Sequence, residues 1–449
     1  MTKKLFVILL LTANCTFLFA QTLKTDVLVI GGGNSGVAAA LQCARSKVKT
    51  VLITETALLG DSIPQSEMFV INANNNVPSG IWGEFRLRVH DLYKGQAGYD
   101  TTFNGPLKLE GSAINTVLKQ MTDTVKKLTI YLNTPFVAIK KDGDYWDVSV
   151  TRDEKTTIVK ARVVIDATPN GDVATKAGAQ FTGVFNNDKD NSQTKYYRTA
   201  IACGEALPGQ LYTDANAAKT NYPQYPAYCI PLNAVLVKNA ENILVTEKAV
   251  SGNKNIQYLP LQTALGQGTA TVAAFCAFFK TTTEKLKVRI IQGELLDFKG
   301  DLLPFTDIAP RDPNWRAIQQ IAATGLLKGV QQVSNNKAMF FFKPDSLVNT
   351  AEVKPVLTEI YTRAFLWFSK EKTGEKFTVG NLLSFISDYT LTDPTLLNSK
   401  TQKAWKSQYK FTTDFDLNHP VTRREFAVLA NKFLNPFART VDLQGAVVN

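Results

Sequence analysis

Histidine is almost missing from this chain: its 449 residues include two, His90 and His419. Zinc sites built on imidazole and Ser-His-Asp nucleophilic chemistry therefore have almost no material. Cysteine is also sparse. Cys15, Cys43, Cys203, Cys229 and Cys276 are spread over the whole length, which excludes a disulfide-stapled miniprotein and shows no metal-type spacing. No run of five basic residues occurs, although Lys and Arg total 50 against 39 Asp and Glu. The net charge of +11 is thus diffuse, and nucleic-acid binding is unsupported. A diffuse surplus still favours attraction to an anionic wall or polymer. No run of about eighteen apolar residues exists, so the mature chain has no candidate transmembrane helix. Hydrophobic residues reach 45% and charged residues 20%, which supplies a large core and excludes a disordered chain.

At the N-terminus, Lys3 and Lys4 precede the apolar run 5–11, and a second patch leads to Phe19-Ala20-Gln21. A basic start, a short apolar run and a small residue before a polar one predict a secretory signal over residues 1–20. The protein is expected to be exported, periplasmic or associated with the cell envelope. Export permits disulfides. Cys43 and Cys276 fall in alanine-rich helical stretches and read as buried small hydrophobes. Cys203 and Cys229 flank one loop-rich stretch and are the two that could pair.

The first mature segment runs Thr25-Asp26-Val27-Leu28-Val29-Ile30, then Gly31-Gly32-Gly33-Asn34-Ser35-Gly36, then Val37-Ala38-Ala39-Ala40-Leu41. It predicts a buried strand, a tight glycine turn and a helix of small residues. Gly31 permits the turn, Gly33 lets backbone approach a pyrophosphate, and Gly36 lets helix and strand pack closely. The helix N-terminus, with Asn34 and Ser35, faces the phosphate charge. A second strand over 49–54 ends at Glu55, roughly twenty residues on, where a ribose-binding carboxylate belongs. Strand-like segments follow at 128–132 and 136–139. A meander of 145–150 and 156–160 then leads into Val163-Val164-Ile165-Asp166-Ala167-Thr168. An antiparallel meander inserted before a core strand is unlike a simple nicotinamide dehydrogenase.

Over approximately residues 24–298 the chain resembles the FAD-dependent, glutathione-reductase-like oxidoreductases, and looks closest to their exported bacterial branch. The resemblance is carried by Pro78-Ser79-Gly80-Ile81-Trp82-Gly83-Glu84-Phe85, by 165–174, by Ile230-Pro231-Leu232, by 242–245 and by 260–270. It implies an α/β fold: a Rossmann-like parallel sheet that binds FAD, an inserted meander and a small cap over about 180–231. It also implies FAD contacts from Gly31, Gly33, Asn34, Ser35, Gly36, Glu55, Thr56, Gly60, Ser62, Val137, Ala167, Thr168, Asp172, Glu247 and Pro260. Gly266, Gln267 and Gly268 would bring helix N-terminal amides to the pyrimidine edge of the isoalloxazine. Three places depart from the family pattern: Gly60-Asp61, Thr246-Glu247-Lys248 and Ile256-Gln257. No catalytic acid or base declares itself. His90 reads as a solvated or packed side chain, and Arg86 and Arg88 as solvent-facing. Tyr196, Tyr197 and Arg198 fall in the cap, within reach of a substrate, next to a polar loop predicted over 186–195.

Beyond residue 298 the character becomes helical. Asp307 or Asp312 is expected to cap a helix that Gly325 ends. Phe342, Val348 and Glu352 repeat as Phe415, Val421 and Glu425. Residues from about 300 to 437 resemble S-layer homology modules, which implies binding of cell-wall glycan, with Arg423 as the contact residue. The expected organisation is a signal over 1–20, an FAD-binding oxidoreductase domain over 21–298 and a mainly α-helical domain over 299–449. An unidentified small molecule is the expected substrate. The competing reading is a redox-inactive cell-envelope protein that retains the fold.

Overall fold

The computed structural model describes residues 22–60, 63–72, 78–100, 102, 105–181, 192–205, 227–250, 256–334 and 337–448. The predicted signal, Asp61, Ser62, residues 186–191 and most of the expected cap lie outside the described residues.

The first half is α/β, as expected. Strand β1 (Thr22–Ile30) leads into α1 (Asn34–Arg45) and β2 (Thr50–Ile53). A hairpin-like pair, β3 (Met68–Ile71) with β4 (Leu107–Glu110), brackets α2 (Gly80–Tyr93). Then come α3 (Gly111–Asp123), β5 (Leu128–Tyr131), and the meander β6 (Phe136–Asp142), β7 (Tyr145–Arg152) and β8 (Lys155–Asp166). The sheet order is β5-β2-β1-β8-β7-β6, and β13 (Ile243–Val245) also pairs with β8. Strands β5, β2, β1, β8 and β13 run parallel, whereas the meander is antiparallel. β8 joins both styles. Its first half pairs with β7 as far as Ala161, and its second half takes β13 from Val164 onward.

Burial on both faces explains the apolar run of β1. Val27 and Val29 project into the cluster beneath α1 and α6 (Leu259–Phe278), while Leu28 and Ile30 project into the cluster with Trp146, Val148 and Val173. α1 and α6 pack on each other through small residues, so two helix N-termini converge near the C-terminal ends of the parallel strands. Helix α4 (Asp172–Lys176), strand β9 (Gln180–Phe181), helix α5 (Ser192–Thr199) and the antiparallel pair β10 (Ala200–Glu205) and β11 (Ala227–Pro231) fill the interval before β13, with β12 (Val237–Lys238) paired to β9. Residues 192–195 therefore begin a helix and do not continue the predicted polar loop.

Helix α7 (Val288–Asp297) contributes Leu295 and Leu296 to the core of the second half. Beyond it lie α8 (Trp315–Thr324), α9 (Thr350–Ile360), α10 (Ala364–Lys370), α11 (Val379–Thr390), α12 (Pro394–Ala404) and α13 (Arg423–Phe433). Gly325 ends α8 with φ +83°, as expected. Asp307 caps no helix: its carboxylate accepts from the amides of Phe342 and Lys343 instead.

The self-similarity of this half is threefold, one copy more than the sequence reading found. The amide of Val348 donates to the carbonyl of Val421, Val421 to Phe377, and Phe377 back to Val348, at 3.0, 2.8 and 2.9 Å. All three side chains are fully buried. The overlooked copy is Phe377-Thr378-Val379-Gly380-Asn381, whose Asn381 stands where the other copies carry Glu352 and Glu425.

Candidate functional site

The glycine turn forms at the expected place. Gly31 has φ +117°, and a Cβ there would stand 2.5 Å from the carbonyl oxygen of Ala167. A Cβ on Gly36 would run into the carbonyl oxygen of Gly31, so the close approach of helix to strand needs glycine at both positions. Val37 donates to Gly33 at 2.9 Å, which makes Gly33 the N-cap and leaves the amides of Gly33, Asn34, Ser35 and Gly36 as the unbonded helix start. No side chain caps them, and no acidic residue occupies the first turn. Among the described residues these four amides find no acceptor, yet all four residues are buried.

Polar groups converge beside that helix start. Ser35 Oγ donates to Glu247 Oε1 at 2.7 Å and lies 2.9 Å from Thr246 Oγ1. Gln262 Nε2 donates to Glu247 Oε2 at 3.0 Å, and Asn34 Nδ2 lies 3.5 Å from Gln262 Oε1. Asn34 Oδ1 is buried without a hydrogen-bond donor. Glu247 thus ties the start of α1 to the start of α6. Glu55 stands exposed at the end of β2, and Thr56 Oγ1 donates to the carbonyl of Leu58 at 2.7 Å. Gly60, at φ +92°, folds the following loop back by donating to Gly32 at 2.8 Å. Thr168 Oγ1 donates to Asp166 Oδ1 at 2.6 Å and accepts from the amide of Asp172 at 2.9 Å. Asp166 also accepts from Ala174, and burial raises its carboxyl above the ordinary aspartate range. Val137 sits, exposed, at an irregularity between Phe136 and Ala138 at the start of β6.

The expectation for Gly266, Gln267 and Gly268 is corrected. α6 begins at Leu259, with Pro260 in its first turn, so those three lie inside the helix and their amides serve its own ladder. Gly266 is needed because a Cβ would strike the carbonyl oxygen of Ser35, and Gly268 because of the carbonyl of Ile201. The Gln267 side chain is fully occupied, accepting from Ile81 at 3.0 Å and donating to Gln42 at 3.0 Å and Phe298 at 3.3 Å.

Other expected contacts are drawn into architecture. Arg198 Nη1 and Nη2 donate to the two oxygens of Glu359 at 2.7 and 2.6 Å, and its Nε to Thr324, so it joins the two halves rather than facing a substrate. Tyr196 and Tyr197 are buried in the core of the helical half. Arg86 is fully buried, not solvent-facing; burial lowers its pKa to about 10, and Nη2 donates to Gly105 at 2.8 Å. Arg88 pairs with Glu84. His90 is packed, its ring 6.0 Å from Tyr99, and burial lowers its pKa. Arg423 is corrected as a glycan contact. Buried at 5% exposure, it donates to Glu352 at 2.7 and 2.9 Å, to the Phe342 carbonyl at 2.7 Å and to the Lys328 carbonyl.

One titratable group escaped the sequence reading. Asp301 is buried at 4% exposure and accepts from Trp315 Nε1 at 2.7 Å and Gln319 Nε2 at 3.1 Å. Burial pushes its carboxyl up to about 7 against the opposing hydrogen bonds from Trp315 and Ser79. It borders a cavity of about 10 Å³ with Ser79, Trp82, Cys203, Pro260 and Gln267, large enough for a single water. The only sequence signal is the break in pattern between two helices.

Residues 26–206 match the family model described as FAD dependent oxidoreductase. No curated protein matches the chain. Among solved structures, RebC, a rebeccamycin biosynthetic enzyme with reduced flavin, is 17% identical over 34% of this chain and 34% of its own, TM-score 0.25. The bacillithiol disulfide reductase YpdA of Staphylococcus aureus is 16% identical over 38% and 44%, TM-score 0.24. THI4 of Thermovibrio ammonificans is 13% identical over 62% and 98%, TM-score 0.32. The chain spans about a third of the length of the first of these structures.

The groups present fit the diphosphate and ribose of FAD: four buried amides without acceptors among the described residues, glycines whose turn a Cβ would break, and an exposed carboxylate just past the second strand. The amides of Gly266, Gln267 and Gly268 lie inside α6 and are engaged in its own ladder. Among the described residues no group of His, Cys, Asp and Glu is placed to hold a metal, and no helix is long and apolar enough to cross a membrane.

Proposed function

We propose that the chain is an exported FAD-dependent oxidoreductase acting on a small substrate. The observation that carries this reading is the buried start of α1, where, among the described residues, the amides of residues 33–36 lack acceptors and no side chain caps them. A diphosphate supplies the missing acceptors, and its charge is stabilised by the helix dipole. Glu55 would accept from ribose hydroxyls, and Glu247, whose oxygens hold Ser35 and Gln262 in position, would use its remaining lone pairs for a ribityl hydroxyl. Bound FAD supplies two-electron transfer; the chain need only orient and shield it. Export is supported by the basic and apolar pattern of residues 3–11.

The absorption spectrum of the purified full chain tests this, with the cofactor released by denaturation and weighed. A flavin spectrum near one FAD per chain is expected. Protein that stays colourless after reconstitution overturns it and favours the second reading, a redox-inactive envelope protein. That reading draws on one observation: Gly266, Gln267 and Gly268 are engaged in packing and leave the ring region fewer donors than the family pattern implies. For the helical half, cell-wall glycan binding stays a proposal supported by resemblance and diffuse positive charge, without Arg423 as its contact. Sedimentation with wall material at two salt concentrations distinguishes specific retention from charge attraction.

A further inference from the structure

Cys203 and Cys229 are directly opposed in the antiparallel register of β10 and β11, between the pairs Ala202↔Ile230 and Gly204↔Tyr228. Opposed residues of an antiparallel ladder project to the same face with Cα atoms roughly 4.5–5.5 Å apart. That separation falls within the roughly 4.4–6.8 Å that a disulfide spans. The packing agrees with a shared face. Ala202 and Ile230 enter the cluster beneath α6, whereas Cys229 joins the cluster of the helical half, which includes Leu295. Leu295 also walls the small cavity on which Cys203 opens. Both residues are thiols in this structure, with 3% and 6% of their surface exposed.

We propose that Cys203 and Cys229 form a disulfide under oxidising conditions, stapling β10 to β11. With oxidised glutathione as the oxidant, both S–H bonds break and one S–S bond forms. The two electrons and two protons reduce the glutathione disulfide to two glutathione thiols. Burial pushes the Cys229 thiol up to about 12, which suppresses the attacking thiolate in the folded chain. The bond therefore forms while the two strands assemble. Cys43 and Cys276 sit fully buried in α1 and α6 and serve as internal controls that stay thiols.

The test uses the full chain folded in a glutathione redox buffer, alkylated in denaturant without reductant and mapped by mass spectrometry. The expected result is a linked pair of peptides containing Cys203 and Cys229, two hydrogens lighter than their sum, with Cys43 and Cys276 fully alkylated. Alkylation of all four cysteines, or any linkage through Cys43 or Cys276, overturns the proposal. Reductant should also lower the melting temperature of the natural chain while leaving a Cys203→Ala/Cys229→Ala variant unmoved. An equal response of both proteins overturns a stabilising role, even if the variant folds poorly. The colour of the preparation reports FAD separately, so this proposal and the cofactor reading fail independently.

Discussion

Helices α1 and α13 both start in buried surroundings, and their first turns are finished in opposite ways. At α13, Thr422 Oγ1 accepts from the amide of Glu425 at 3.2 Å, and Glu425 Oε2 accepts from the amide of Thr422 at 2.9 Å. α11 closes itself in the same manner with Thr378 and Asn381 at 3.0 and 3.1 Å. At α1 the N-cap is glycine, and no side chain completes the turn. The capped starts are architecture: the donors of a buried helix end must be paired, and here the chain pairs them itself. The uncapped start leaves the same need unmet among the described residues. Whether a motif's polar atoms are already engaged separates binding from bracing, and that distinction removes Arg423 and Gln267 from the ligand list while keeping Gly33 to Gly36.

The sharpest way to break the comparison is Arg423→Ala. If this guanidinium is a brace, its loss takes the donor from two carbonyls and leaves Glu352 only the Lys328 amide, costing about 3–5 kcal/mol in a denaturant titration. A binding residue would cost almost nothing there. Next in size is Gly266→Val, which drives a side chain into the Ser35 carbonyl and is expected to cost about 3 kcal/mol. Because the strike lands on the start of α1, retained FAD should fall with it; unchanged stability would contradict the packing role.

Asp301 sharpens the point through pH. Its folded carboxyl lies near 7, above the 3.8 of an unperturbed aspartate, so the folded state holds the proton more tightly. That contribution is fully present below about pH 4 and is lost as pH rises through 7, at a slope of up to about 1.4 kcal/mol per pH unit. Asp301→Asn should flatten this dependence, measured as denaturation midpoints at pH 5 and pH 8; an unchanged slope would assign it elsewhere. The smallest structural effect belongs to Glu55→Ala. Stability should move by less than about 0.5 kcal/mol, whereas FAD affinity in a fluorescence titration should fall by about tenfold for one lost charged hydrogen bond.

Much of the first half was legible because its signals are local. The apolar run 27–30, the three glycines and the acid at Glu55 dictate strand, turn, helix and second strand without distant partners. The start of α6 was legible in Pro260, but the role of Gly266 and Gly268 was not, because they serve a tertiary demand, backbone approach by Ser35 and Ile201, that no local pattern displays. The partners of Arg198 and Arg423 were hidden for the same reason: Glu359 and Glu352 are far away in sequence. The third copy at Phe377 escaped notice because Asn381 replaces the expected glutamate, yet it caps its helix equally well. Asp301 carries no motif; its burial and raised pKa arise only once α8 packs over it.

Calorimetric titration of the cofactor-stripped full chain with FAD, beside a Gly36→Val variant that drives a side chain into the Gly31 carbonyl and breaks the glycine turn, tests the central claim most directly. The account predicts saturation near one FAD per natural chain and no binding to the variant. Equal binding by both proteins, or no heat from the natural chain with either FAD or ADP, would contradict it.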